Sequence, residues 1–221
     1  MKKLTGVILP LTLALVVTVC DGTTQAQLPT PSPDPKSPFG VDLNINVKTI
    51  DKYLGRDDVA YRDVRMLFDP ADFASIGGNS ILSQTVKGFR IVSYPYLATI
   101  PSLPVKGAYT GNCLYTLTWD ADGKIASATP NYVESQRIME DLFPKDKSIF
   151  LMCGAGGYAG MTKALLVYLG WDANKIYNIG GNWFYTGNNS VDFTVKVNGT
   201  DAIATWLANY AYIDFSQLHK K

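Results

Sequence analysis

From residue 41 onward, short apolar runs alternate with stretches whose apolar positions recur at helical spacing. This is the rhythm of an α/β fold built on a central parallel sheet flanked by helices. Val59–Val64 reads as one strand, Gly88–Tyr94 (Phe89, Ile91, Val92) as a second and Lys175–Asn178 as a third. Ser148–Met152, unbroken through Ile149, Phe150 and Leu151, has the continuous apolarity of a central strand buried on both faces. Helices are expected where caps and spacing agree. Asn46 opens a short one, with Val47, Ile50 and Leu54 on one face and Gly55 as its stop; Asp69-Pro70 opens another through Ala74. Thr129 caps and Pro130 starts a third, with Tyr132, Met139, Leu142 and Phe143 inward and Pro144 closing it. A fourth runs over Ala159–Leu169, with Gly170 at its C′ position. Ile203, Trp206, Leu207, Tyr210 and Ala211, at i, i+3, i+4, i+7 and i+8, predict a core-facing C-terminal helix.

Residues 95–129 break this rhythm. Pro95, Pro101 and Pro104 sit among Gly107 and Gly111, and a hairpin is expected from Tyr115–Trp119 and Lys124–Ala126 around the turn Asp120-Ala121-Asp122-Gly123. The segment reads as an insertion of the kind that shapes a pocket.

The N-terminus has the pattern of an export signal: Lys2 and Lys3, then an uncharged, mostly apolar run to Val19 that is short for a membrane span. Val17-Thr18-Val19-Cys20 resembles a bacterial lipobox, which implies fatty-acylation (palmitate-type) of Cys20 and attachment outside the cytoplasm; Val19 stands where a small residue is usual. Secretion after cleavage at Thr24-Gln25-Ala26, or an uncleaved anchor, are the competing outcomes. Asp21 to Gly40, with Pro29, Pro31, Pro33, Pro35 and Pro38, reads as a semi-extended spacer. The organisation expected is therefore a leader over 1–20, a linker over 21–40 and a single domain over 41–217.

Composition narrows the function classes. The 221 residues are 47% hydrophobic and 18% charged, enough for one well-packed domain. Net charge is +1, and without Lys2 and Lys3 there remain 18 basic against 19 acidic residues, a net of −1. With no basic cluster past the leader, nucleic-acid binding has no electrostatic basis. The single histidine, His219 in a basic tail, leaves neither a zinc set nor a Cys–His pair to expect, and no cofactor is implied. Beyond Cys20 the cysteines are Cys113 and Cys153, too few for a disulfide scaffold.

The chemistry concentrates at Cys153-Gly154-Ala155-Gly156-Gly157-Tyr158-Ala159: a buried strand ends in a cysteine, a glycine-rich loop follows, and a helix starts at once. Glycines let successive N–H groups turn inward, and the helix N-terminus adds partial positive charge. Such a ring favours a thiolate, the nucleophilic form of cysteine, and would hold an anionic sulfur in a transition state. A buried free cysteine of the core is the plainer reading.

On these residues the chain resembles the rhodanese family over about residues 44–187. The similar parts come in family order. They are Asp63-Val64-Arg65, like the family's Asp-x-Arg; the strand Gly88-Phe89-Arg90-Ile91; the six residues Cys153 to Tyr158, of sulfurtransferase length; and Gly170-Trp171 followed by Gly180-Gly181 and Trp183. The resemblance implies a sulfurtransferase in which Cys153 takes sulfur from a small donor, keeps it as a persulfide and passes it to a thiol acceptor. Gly154 after the cysteine is similar to the mercaptopyruvate-using branch; Tyr158 stands where neither branch has it, and no cation in the loop would meet thiosulfate. The family's Gly-His motif is replaced by Ile76-Gly77-Gly78-Asn79. Asp63 and Arg65 are expected to form an ion pair behind the loop, with direct substrate contact as the rival role, and Arg90 is a candidate pocket cation. Cys113 is open to three roles: a core residue, a resolving thiol for Cys153, or a disulfide partner. The alternatives in function are a non-catalytic rhodanese-like module that binds an anion, thiol or protein, and a thiol redox protein using Cys113 and Cys153. A cysteine phosphatase is excluded because Tyr158, Ala159 and Gly160 stand where its clamping arginine belongs, and a Walker loop because no Gly-Lys-Ser/Thr follows the glycines.

Overall fold

A computed structural model of the protein describes residues 25–66, 84–100, 111–203 and 208–221. Along this chain lie β1 (Val59–Asp63), β2 (Gln84–Val86), β3 (Arg90–Ile91), the one-turn helix α1 (Tyr94–Leu97), β4 (Tyr115–Trp119) and β5 (Ile125–Pro130). Then follow α2 (Ser135–Leu142), β6 (Ser148–Cys153), α3 (Gly157–Tyr168), β7 (Ile176–Gly181), β8 (Ser190–Asp192), β9 (Thr194–Val197) and β10 (Thr200–Ile203). The leader with Cys20, the helix expected over 69–74 and the Ile76–Asn79 stretch lie outside the described residues.

The α/β class is as expected. β3, β1, β6 and β7 lie side by side in that order, all parallel. Side chains alternate between two covered faces. Ala60, Ile149, Leu151 and Cys153 join Met139, Leu142, Leu165, Leu166 and the hairpin residues Tyr115 and Leu117 in one cluster. Tyr61, Phe150, Met152 and Tyr177 join Ile45, Val47, Ile50 and Phe89 in the other. Because both faces are covered, β6 past Ser148 and all of β7 are buried, which is why these strands read as apolar runs. Each fully buried Phe, Leu or Ile contributes about 1.5–3 kcal/mol of apolar transfer, so this double-sided core dominates the fold.

Several local expectations shift. The helix expected after Asn46 is a single 3-10 turn, Ile50–Tyr53, which Leu54 leaves in an extended conformation. The strand expected over 88–94 is only Arg90–Ile91, and Ser93-Tyr94-Pro95 turns into α1. Pro130 does not start a helix. It ends β5, paired with Tyr115 across the hairpin, and α2 begins five residues later. The 95–129 segment contains the expected hairpin, but Leu114, Tyr115 and Leu117 are core residues rather than an appendage.

Among the described residues the C-terminal helix expected from Ile203 to Ala211 is not seen; Trp206 and Leu207 lie outside the described residues. Thr200–Ile203 is instead a strand paired antiparallel to β9. Its cause is Asn198-Gly199, whose φ values of 52° and 82° are those of a tight hairpin turn. Tyr210 then lies alongside Ile91, whose N–H donates to the Asn209 carbonyl at 2.7 Å and whose carbonyl accepts from Ala211 N–H at 2.8 Å.

The proline-rich stretch is likewise not a free spacer once it reaches Ala26. Arg56 donates to the Ala26 carbonyl at 2.9 Å and the Tyr177 hydroxyl to the Pro29 carbonyl at 2.6 Å. Pro33 bridges Asp42, and buried Asp42 accepts from the N–H groups of Ser32, Asn44 and Ile45. Prolines remove donors but leave carbonyls, and those carbonyls are what the domain binds.

Candidate functional site

Cys153 is the last residue of β6, opposite Gly181 of β7, and α3 starts four residues later. Between them the chain turns through Gly156 at φ +105°, a left-handed conformation that glycine adopts without penalty. The turn wraps around the sulfur. Gly156 N–H donates to Cys153 Sγ at 3.0 Å, and the N–H groups of Ala155 and Ala159 also act on it. Of the loop expected over Gly154 to Ala159, the residues that turn an N–H onto the thiol are Ala155, Gly156 and Ala159.

The site's tightness comes from close backbone approach. A Cβ at Gly181 would lie 1.9 Å from the Gly154 carbonyl oxygen, so only glycine lets β7 pass the loop. Trp183 N–H donates to that same carbonyl at 3.1 Å, and its indole lies over Gly154. Asn178, 1% exposed, clamps the other side: its Nδ2 donates to the carbonyls of Gly156 (3.1 Å) and Phe39 (2.7 Å), and its Oδ1 accepts from Gly180 N–H at 2.9 Å. Tyr158 stacks on Tyr94 with ring centroids 5.6 Å apart.

Asp63 and Arg65 form a buried pair at the end of β1. Arg65 Nε donates to both carboxylate oxygens at 2.9 and 3.0 Å, a second guanidinium nitrogen also reaches Asp63, and Thr85 Oγ1 donates to Asp63 Oδ2 at 2.7 Å. The pair is joined to the site by backbone: Val64 N–H donates to the Met152 carbonyl at 2.7 Å and Tyr94 N–H to the Arg65 carbonyl at 3.1 Å.

Electrostatics at Cys153 is a contest. Burial pushes the thiol up, the N–H groups of Ala159, Gly156 and Ala155 pull it down, and Asp63 pushes it up again. Burial wins at 1% exposure, so the resting group is a protonated thiol rather than the thiolate the loop alone suggests.

Arg90 and Cys113 are not part of this cradle. Arg90 is on β3, with β1 between it and β6. Cys113 stands before β4, its Sγ donating to the Tyr115 carbonyl at 3.3 Å and accepting from Asn131 Nδ2 at 3.5 Å. Both described cysteines are free thiols. Three contributors were not foreseen from sequence: Asn178, Thr85 and Tyr94. Only Asn178 left a signal, a polar residue inside the otherwise apolar run of β7.

These features define a parallel α/β protein whose candidate site is a cysteine held in a ring of backbone N–H groups. No protein-family model, curated protein or solved structure matches this chain.

Proposed function

We propose that the protein is a rhodanese-like sulfur carrier in which Cys153 passes a transferable sulfur from a small donor to a thiol. The observation that carries this reading is the 3.0 Å bond from Gly156 N–H to Cys153 Sγ, inside a strand–loop–helix turn with the N–H groups of Ala155 and Ala159 acting on the same atom. A core cysteine needs no such ring; a sulfur that must carry negative charge does.

In the first step the Cys153 thiolate attacks the transferable sulfur of the donor. The Sγ–S bond forms, the donor's bond to that sulfur breaks, and the leaving group departs with the electron pair and takes up a proton. In the second step an acceptor thiolate attacks the outer sulfur, the Sγ–S bond breaks, and Cys153 regains its thiolate. No net oxidation of the protein occurs. Because Cys153 rests buried and protonated, uncovering and ionising it precede the first step. With no cation in the loop and Asp63 as the fixed charge acting on the sulfur, a singly charged donor such as 3-mercaptopyruvate is favoured over dianionic thiosulfate.

The burial of Cys153 favours a second reading, a module of the same fold that binds a partner or anion without turnover. Steady-state sulfur transfer to a thiol acceptor separates the two. Turnover with 3-mercaptopyruvate, weaker with thiosulfate and abolished in Cys153→Ser, supports the carrier. No turnover with either donor rejects it in favour of the binding module.

The leader completes the proposal: Cys20 is acylated and holds the domain on the outer side of a bacterial membrane.

A further inference from the structure

Arg62 and Arg90 stand directly opposite one another in the β1–β3 ladder. Residues in register on neighbouring parallel strands project to the same face, so two guanidinium groups share one half-buried patch. Arg62 is partly engaged there. Its Nε donates to the Leu142 carbonyl at the end of α2, and its Nη1 donates to the Tyr61 carbonyl at 2.9 Å. That accounts for Arg62 as a cap on a helix C-terminus, with Nη2 left over.

Nothing similar accounts for Arg90. Among the described residues its Nε is buried and has no hydrogen-bond partner. Among the described residues no carboxylate pairs with Arg90 or with Arg62. The groups acting on Arg62 are its burial and then Arg90, and together they bring its guanidinium down to about 10. A polar donor is thus kept from water beside a like charge, an arrangement that disfavours the folded state unless something compensates it. The compensation missing is an acceptor with negative charge.

We infer that Arg62 and Arg90 form a binding site for a tetrahedral oxyanion, a sulfate or phosphate group. Beyond the buried Nε, the two outer guanidinium nitrogens of Arg90 and Arg62 Nη2 are donors suited to several oxygens of one ion. The site is separate from Cys153, since β1 lies between β3 and β6, and it stands whatever chemistry occurs there.

The test is calorimetric titration of the full chain with sodium sulfate and with sodium phosphate against sodium chloride of matched ionic strength. In parallel, the Arg90 Nε–H resonance is followed by NMR. Saturable binding of either tetrahedral anion is expected, with the Arg90 resonance moving and saturating at the same concentration. Arg90→Gln should weaken binding at least tenfold, and Arg90→Lys, which keeps the charge but not the fork, should fall between. A wild-type response no greater than that to chloride overturns the inference. So does an Arg90 resonance that stays still while the anion binds, which removes any dependence on whether the Gln variant folds.

Discussion

At the scale of single residues, two groups determine the site's behaviour: the Cys153 thiol and the Asp63–Arg65 pair. Burial holds the Cys153 proton on more tightly than the loop's N–H groups help release it. Raising pH therefore increases the reactive thiolate without a plateau near neutrality. Alkylation by iodoacetamide should speed up about tenfold per pH unit from 7 to 9, read as mass gain at Cys153. A rate that is already flat at pH 7 would mean that the backbone ring outweighs burial. The Asp63–Arg65 pair sets a different dependence. Asp63→Asn removes the carboxylate that faces the 2%-exposed Arg65 and should cost about 3–5 kcal/mol, seen as a fall in urea midpoint. A loss below about 1 kcal/mol would show that the pair is relieved by rearrangement. Both Cys153 and Asp63-Val64-Arg65 were legible in the sequence because each is a short local pattern. Thr85, which completes the shell of Asp63, was not: it comes from a strand 22 residues away and carries no pattern of its own.

At the scale of elements, the loop is held by its neighbours more than by its own residues. Asn178 on β7 joins the Gly156 turn, Gly180 and the N-terminal strap at Phe39 through three hydrogen bonds. Asn178→Ala should cost about 2–4 kcal/mol, at about 1 kcal/mol or more for each buried bond lost. It should also loosen the loop, so alkylation of Cys153 at fixed pH should become faster than in the parent protein. Unchanged alkylation would show that the clamp does not govern access to the sulfur. What the sequence disclosed about elements follows the same division. β1, β6, β7 and α3 were readable because burial on both sheet faces and helical spacing are written locally. The C-terminal stripe misled because its first residue, Ile203, ends β10, which the Asn198-Gly199 turn pairs with β9, and Tyr210 bridges Ile91. Pro130 misled for a related reason, as the pairing of β4 with β5 uses it as a strand end.

At the scale of the whole molecule, the folded unit starts earlier than the change in composition at residue 41 suggests. The strap from Ala26 to Asp42 is tied to Arg56, Tyr177 and Asn178. A chain begun at residue 41 should therefore be about 2–4 kcal/mol less stable than one begun at residue 25, since it loses several of these bonds. Equal urea midpoints would show that the strap is only passively docked. With Cys20 acylated, only six residues lead to the docked Ala26, a reach of at most about 20 Å. The domain would then sit close over the bilayer rather than on a long tether. The claim that joins every scale is that Cys153 carries sulfur, and intact-mass analysis of the reduced protein after exposure to 3-mercaptopyruvate or thiosulfate tests it most directly. A gain of one sulfur atom is expected, stronger with mercaptopyruvate, lost again on adding a thiol and absent in Cys153→Ser. An unchanged mass with both donors, while iodoacetamide still reaches Cys153, would contradict it.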